Sequence, residues 1–261
     1  MAVHLNLELT DRCNLKCRMC GQFYMDEVHL EPEAFMTWET WKALIDGLSS
    51  FEEEIALCPH WLGEPTFHPE FDRFIRYAFE QNEGNRLFRE FKLHTNAVRF
   101  GPARSENLLE CASFPHQHPE TFGFVHFSID ALGRDTYRFI KGGDQRDRVY
   151  RNILRFLDIR RERGNLYPRV TVAFIVMPEN EHEARPFVEF WRRAFRARGS
   201  EPALIWDWPL AYRDSIYIRR LHQADQEAAD ALHQAVLADL GVTDLVAAPD
   251  GSGRHVAPES F

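Results

Sequence analysis

Three cysteines within eight residues are the most chemically suggestive feature of this chain. The segment reads Thr10-Asp11-Arg12-Cys13-Asn14-Leu15-Lys16-Cys17-Arg18-Met19-Cys20-Gly21, a C-x-x-x-C-x-x-C spacing. Three thiolates on one loop can ligate three irons of a single cubane cluster, whereas electron-transfer cubanes take four. One iron would then stay open to an exogenous ligand. Two other readings stand beside this one. Zinc prefers four ligands and paired knuckles, and no nearby histidine has knuckle spacing. Free cysteine is also a common buried residue, which is the reading taken for Cys58 and Cys111, the other two of the five cysteines. An odd, small number of cysteines argues against a disulfide framework.

The elements that must position this loop can be read from the apolar periodicity. Before it, Val3, Leu5, Leu7 and Leu9 share one face of a predicted strand, and His4, Asn6 and Glu8 share the other. Further strands are predicted over 54–58, 91–95, 122–129, 170–177 and 203–206. Helices are predicted over 38–48, 69–81, 103–111, 147–163, 183–198 and 216–240, with Thr37 as an N-cap and Met36 stapled onto Trp41. The tail from Ala247 onward carries Pro, Gly and Ser and reads as loose.

Six successive strand–helix units imply a parallel sheet with right-handed crossovers. Three strands also carry a polar face: His4, Asn6 and Glu8; Lys92, His94 and Asn96; His126, Ser128 and Asp130. Such faces suit a barrel whose lumen holds a ligand, not one filled by branched apolar layers. The expected fold class is α/β, a partial (β/α)6 TIM-like barrel over residues 1–210, with a helical extension and loose tail over 211–261.

Composition narrows the function classes. The 261 residues carry 31 basic and 40 acidic side chains, a net charge of −9. Binding a nucleic-acid backbone needs a basic face, so nucleic acid is not expected as a partner. No apolar run approaches the ~20 residues of a membrane span. The first residues show no basic region followed by an apolar core, and a cytoplasmic location is the expectation.

The cysteine loop resembles the signature of the radical S-adenosylmethionine (radical SAM) superfamily. Gly63-Glu64-Pro65, within LGEPTFHPEF, resembles the family's Gly-Gly-Glu-Pro motif, with Leu62 in place of its first glycine. His94–Ala97 (HTNA) matches the usual end of the third strand, and the segment from Ser128 resembles the part that contacts the SAM ribose and carboxylate. The resemblance covers about residues 1–210 in the right order. It implies a partial (β/α)6 barrel, a 4Fe–4S cluster on Cys13, Cys17 and Cys20, and SAM bound to the remaining iron. Reductive cleavage of SAM would then give a 5′-deoxyadenosyl radical that abstracts a substrate hydrogen.

The same resemblance assigns SAM contacts to Gly63, Glu64, Pro65, Asn96, Ser128 and Asp130, with Arg138 or Lys141 as the cation for the SAM carboxylate. Met19 stands where an aromatic residue usually lies near adenine. No cysteine follows Cys111, so one cluster only is expected. His60, Trp61, Glu8, His94 and His126 can face substrate from the barrel mouth, although a strand histidine is more often structural. Trp206, Asp207 and Trp208 can line the same cavity. The Arg-rich segments 155–163 and 192–198 read as solvated helix faces. The implied substrate is a small metabolite of sugar or nucleoside type, or a peptide natural product. A flavodoxin or ferredoxin would be the electron donor, and no catalytic side chain is identified. The competing reading is a noncatalytic iron–sulfur or zinc-binding scaffold.

Overall fold

The computed structural model describes residues 3–21, 35–82, 84, 86–114, 118–207, 212–223 and 225–242. Its strands are β1 (Val3–Asn6), β2 (Ile55–Cys58), β3 (Glu90–Thr95), β4 (Phe122–Ser128), β5 (Arg169–Ile175), β6 (Ala203–Ile205) and β7 (Ser215–Arg219). The helices of the described residues are α1 (Trp38–Gly47), α2 (Phe71–Gln81), α3 (Pro102–Cys111), α4 (Arg134–Lys141), α5 (Arg146–Glu162), α6 (Ala184–Arg196) and α7 (Gln226–Asp239). All pairings are parallel, in the order β1-β2-β3-β4-β5-β7-β6.

Strand parity separates two environments. Leu57, Leu93, Val125, Phe127, Val172, Phe174, Ile216 and Ile218 point to the helices and join one core with Trp41, Phe74, Phe79, Phe156 and Trp191. Burying each such side chain contributes about 2 kcal/mol. The opposite parity carries His94, His126, Thr171 and Ser215 side by side across four strands. There Thr171 and Ser215 exchange a hydrogen bond at 2.9 Å, and Ala173, Ala203, Ile205 and Tyr217 form a small separate cluster. This inner, polar face is the one anticipated for a ligand-holding partial barrel.

The N-cap expectation is met: Thr37 Oγ1 accepts from Thr40 N at 3.1 Å. Two elements differ. The helix expected over 216–240 is a strand followed by a helix. Ile216 and Ile218 alternate with Tyr217 and Arg219, a pattern that suits a pleated strand, and β7 fits between β5 and β6 with Ile175 opposite Arg219. The sheet therefore has seven strands, and the helix begins only at Gln226, capped by Asp225. Helix α4, also unforeseen, ends at Gly142 in the left-handed region, φ +68°. A buried bidentate pair, Arg160 to Asp214 at 2.8 and 2.6 Å, ties α5 to the segment entering β7. Burial alone would raise the Asp214 carboxyl, but the guanidinium holds it below the usual range.

Candidate active site

The cysteine loop leaves the end of β1 and is gripped from two sides. On one side lies the loop after β2. Gly63 sits so close that a Cβ there would come within 1.8 Å of the Thr10 carbonyl oxygen, and Glu64 N donates to Arg12 O at 2.8 Å. Only glycine permits this approach. On the other side lies the end of α4. Lys16 N and Arg18 N donate to Lys141 O and Ile140 O at 3.2 and 2.9 Å. A Cβ on Gly142 would meet Lys16 O at 2.5 Å, and the Arg18 guanidinium lies 4.1 Å from the Phe139 ring centre.

Helix α4 is itself held by Glu183. Its carboxylate accepts from Leu132 N, Gly133 N and Thr136 Oγ1 at 2.7, 3.1 and 2.7 Å, placing negative charge at the helix N-terminus. Glu8, read in sequence as a substrate-facing residue, anchors the opposite jaw, because its Oε1 accepts from Leu62 N and Gly63 N at 2.6 and 2.7 Å. This arrangement holds the loop with Leu62 at the motif's first position.

Between the jaws runs a buried polar network. Glu64 Oε1 accepts from Thr66 N, Thr66 Oγ1 and Thr95 Oγ1 at 3.1, 2.5 and 2.7 Å, and Oε2 accepts from Asn96 N at 2.7 Å. Burial pushes the Glu64 carboxyl up, against these four donors. Asn96 Nδ2 then donates to Asn14 Oδ1 at 2.8 Å and to Cys13 Sγ at 3.7 Å. Glu64 and Asn96 thus meet the cysteine loop through the ends of two strands, with Pro65 buried beside them.

Asp130 and Lys141, considered separately in sequence, form one buried ion pair at 2.5 Å. Burial opposes the Lys141 charge, but Asp130 holds its pKa above the usual range. The second Asp130 oxygen accepts from Ile175 N at 2.8 Å, and the residue adopts φ +61°. Arg138, in contrast, is exposed and pairs with Asp135 at 3.1 Å. Ser128 closes β4 on the inner face, half-buried, and Met19 is half-buried within the cysteine loop. Trp206 is buried and Asp207 exposed; Trp208 lies outside the described residues.

Cys13, Cys17 and Cys20 are free thiols within electrostatic reach of one another. Burial is the main cause that pushes Cys13 up to about 12 and also raises Cys17. Without metal these two stay protonated at neutral pH, whereas a bound metal removes the proton outright. Among the described residues, no three His, Cys, Asp or Glu side chains converge on a single-ion site. A cubane offers each thiolate its own corner iron, so this donor set fits a cluster held at three corners. Cys58 and Cys111 are buried, as expected of packed thiols.

Deeper in the lumen lies a group that sequence reading named only residue by residue. His94 Nδ1 and His126 Nδ1 approach to 2.8 Å, and His60 stacks on His94 with ring centres 5.5 Å apart. Burial lowers His60 to about 4 and His94 to about 3, and places His126 well below its usual value. Tyr217 and Arg219 reach the same group from β7, a strand the periodicity of 216–219 could have signalled.

Comparison with known proteins identifies the family and the fold. The family model of the radical SAM superfamily matches residues 7–190. The chain is 27% identical over 178 residues to the tungsten-containing aldehyde ferredoxin oxidoreductase cofactor-modifying protein of Pyrococcus furiosus, covering 68% of this chain and 44% of that one. It is 27% identical over 186 residues to the GTP 3′,8-cyclase of Desulforamulus reducens, covering 70% and 50%. The chain thus spans half or less of the length of these relatives. The fold is that of anSMEcpe with bound AdoMet (TM-score 0.54, 16% identity, 83% of this chain and 50% of that one). HydG, a maturase of the FeFe-hydrogenase, is similar as well (TM-score 0.55, 14% identity, 93% and 49%). With seven-tenths of its length matched by the family model, the chain belongs to the radical SAM superfamily, a family of enzymes whose cofactors are a 4Fe–4S cluster and S-adenosylmethionine.

Proposed function

We propose that this enzyme abstracts a hydrogen atom from a small metabolite of sugar or nucleoside type, or from a peptide natural product, bound in the barrel lumen. When bound, the cluster and SAM supply one-electron cleavage of the sulfonium and the hydrogen-abstracting species. The chain's own residues hold and shield these groups. Cys13, Cys17 and Cys20 bind three irons, and Asn96 donates to the Cys13 sulfur, a contact that tunes a cluster's potential.

Gly63, Glu64 and Pro65 present the loop that meets the SAM amine. In this reading Glu64 acts chiefly by fixing that loop, since four protein donors already occupy its carboxylate. Lys141, charged through Asp130, sits behind Cys17 and favours anionic groups there, while Arg138 at the exposed end of α4 is the alternative cation for the SAM carboxylate. Ser128 and Asp130 mark the ribose side, and Met19 packs toward adenine. A flavodoxin or ferredoxin supplies the electron; no nucleic acid or membrane takes part, and the enzyme works in the cytoplasm. No helix of the described residues is long and apolar enough to cross a membrane. Residues 1–210 are assigned to the barrel unit and 211–261 to its extension, which contributes β7 between β5 and β6.

The observation that carries this reading is the two-sided grip on the cysteine loop by Gly63–Glu64 and Ile140–Gly142. Deuterated candidate substrates test it. Transfer of deuterium into 5′-deoxyadenosine from a sugar, nucleoside or peptide identifies the class. Transfer from none of the three, in an enzyme that cleaves SAM, rejects these substrate classes.

A further inference from the structure

Among the described residues, four cations lie on or beside the inner wall of the barrel: two have carboxylate partners, and Arg169, at the start of β5, lies 4.7 Å from the Tyr167 ring centre. Lys92 has Glu90 at 3.0 Å, and Lys141 has Asp130 at 2.5 Å. Arg219, half-buried and on the same strand face as Tyr217, has no ion-pair or side-chain hydrogen-bond partner among the described residues. Its charge nonetheless reaches His94 and His126.

The histidines beside it are arranged unequally. At 2.8 Å one Nδ1 must donate its hydrogen and the other must accept it. The donor ring therefore keeps a lone pair on Nε2, and the acceptor ring carries its hydrogen there. The pair thus turns one N–H and one lone pair outward from their contact. Nε2 of His126 is buried without a hydrogen-bond partner. Burial keeps all three imidazoles uncharged near pH 7, so they cannot repel a ligand cation or neutralise a ligand anion. The unpaired charge that reaches these imidazoles is that of Arg219.

We propose that Arg219, with His60, His94 and His126, forms a subsite for an anionic group of the substrate, a carboxylate or a phosphate. A substrate that fills the lumen strips water from the guanidinium, and an unpaired buried charge is costly. An oxyanion removes that cost, since the planar fork of Arg219 matches two of its oxygens and an imidazole N–H can serve a third. The inference deepens the function proposed above and rests on it for the identity of the bound molecule.

The test is calorimetric titration of the reconstituted full-length chain, with SAM present, using inorganic phosphate in one arm and acetate in the other. One site per chain is expected, weakened at least tenfold in Arg219→Gln and only partly restored in Arg219→Lys, which keeps the charge but not the planar fork. The arm with the tighter binding assigns phosphate or carboxylate. Binding that Arg219→Gln leaves unchanged, binding of neither probe, or loss of SAM binding with phosphate and acetate binding intact would each overturn the subsite. Should Arg219→Gln not accumulate as folded protein, His60→Ala must weaken the same site at least threefold, and an unchanged affinity rejects the proposal. Iron content and SAM cleavage in the wild-type sample report separately on the parent reading. If they persist while anion binding fails, only this subsite is lost.

Discussion

Around the cysteine loop the carboxylates and amides find their partners within the protein, with the buried Tyr137 hydroxyl as an exception, whereas the lumen wall leaves a histidine nitrogen and a guanidinium open. Glu64 has four donors, Asn96 bridges Glu64 to Cys13 and Asn14, and Asp130 pairs with Lys141. On the lumen wall, His126 Nε2 has no partner and Arg219 has no carboxylate among the described residues. The first region behaves as a mould whose shape is set before any cofactor arrives. The second, in the subsite proposed above, is completed by its ligand. A site can therefore be rigid where it holds invariant cofactors and incomplete where it selects a substrate.

The sharpest break in this contrast comes from the loop itself. Cys17→Ala should abolish the cluster and SAM cleavage together, reducing iron from about four per chain to near zero in an iron assay. Retention of both would show that Cys17 is not a ligand. Next in size is Lys141→Met, which strands Asp130 with no cation. It should destabilise the fold by about 3–5 kcal/mol in denaturant unfolding. Adding Asp130→Asn should restore part of that loss, whereas a wild-type midpoint for Lys141→Met would mean that the pair does not lock α4.

Much of the mould was legible in the sequence. The spacing of Cys13, Cys17 and Cys20 and the Gly63-Glu64-Pro65 triplet are local, and local patterns survive without a fold. The alternation in 3–9 and 122–129 gave both faces of their strands. What could not be read were partnerships formed only when distant strands meet. Glu8 lies 54 residues from Leu62, and Asp130 and Lys141 looked like two separate ligand groups until α4 brought them together. The segment at 216–219 was misread because alanines further along, in α7, extended the helical pattern backwards over a strand. His94 and His126 became a pair only through the register of β3 and β4.

Two smaller effects refine the comparison. Gly63→Ala forces a methyl against Thr10 O and should lower stability by about 3 kcal/mol, the upper end of overpacking costs. Thermal unfolding and iron content should fall together, and a neutral result would mean that the two loops are not in close contact.

The lumen should report itself through pH. His60 and His94 titrate near 4 and 3 in the folded state and near 6.5 when unfolded, so between those values the unfolded chain binds more protons. Stability is therefore full above about pH 6.5 and falls as pH drops toward 4, by up to about 1.4 kcal/mol per pH unit for each histidine. His60→Gln should flatten that slope; an unchanged slope would place His60 in solvent.

The central claim is a cubane held at three corners with the fourth open to SAM. Electron paramagnetic resonance of the anaerobically reconstituted, reduced chain tests it most directly. The account predicts about four irons per chain and a cluster signal that changes when SAM is added. A colourless chain holding stoichiometric zinc, or a cluster signal indifferent to SAM, would contradict it.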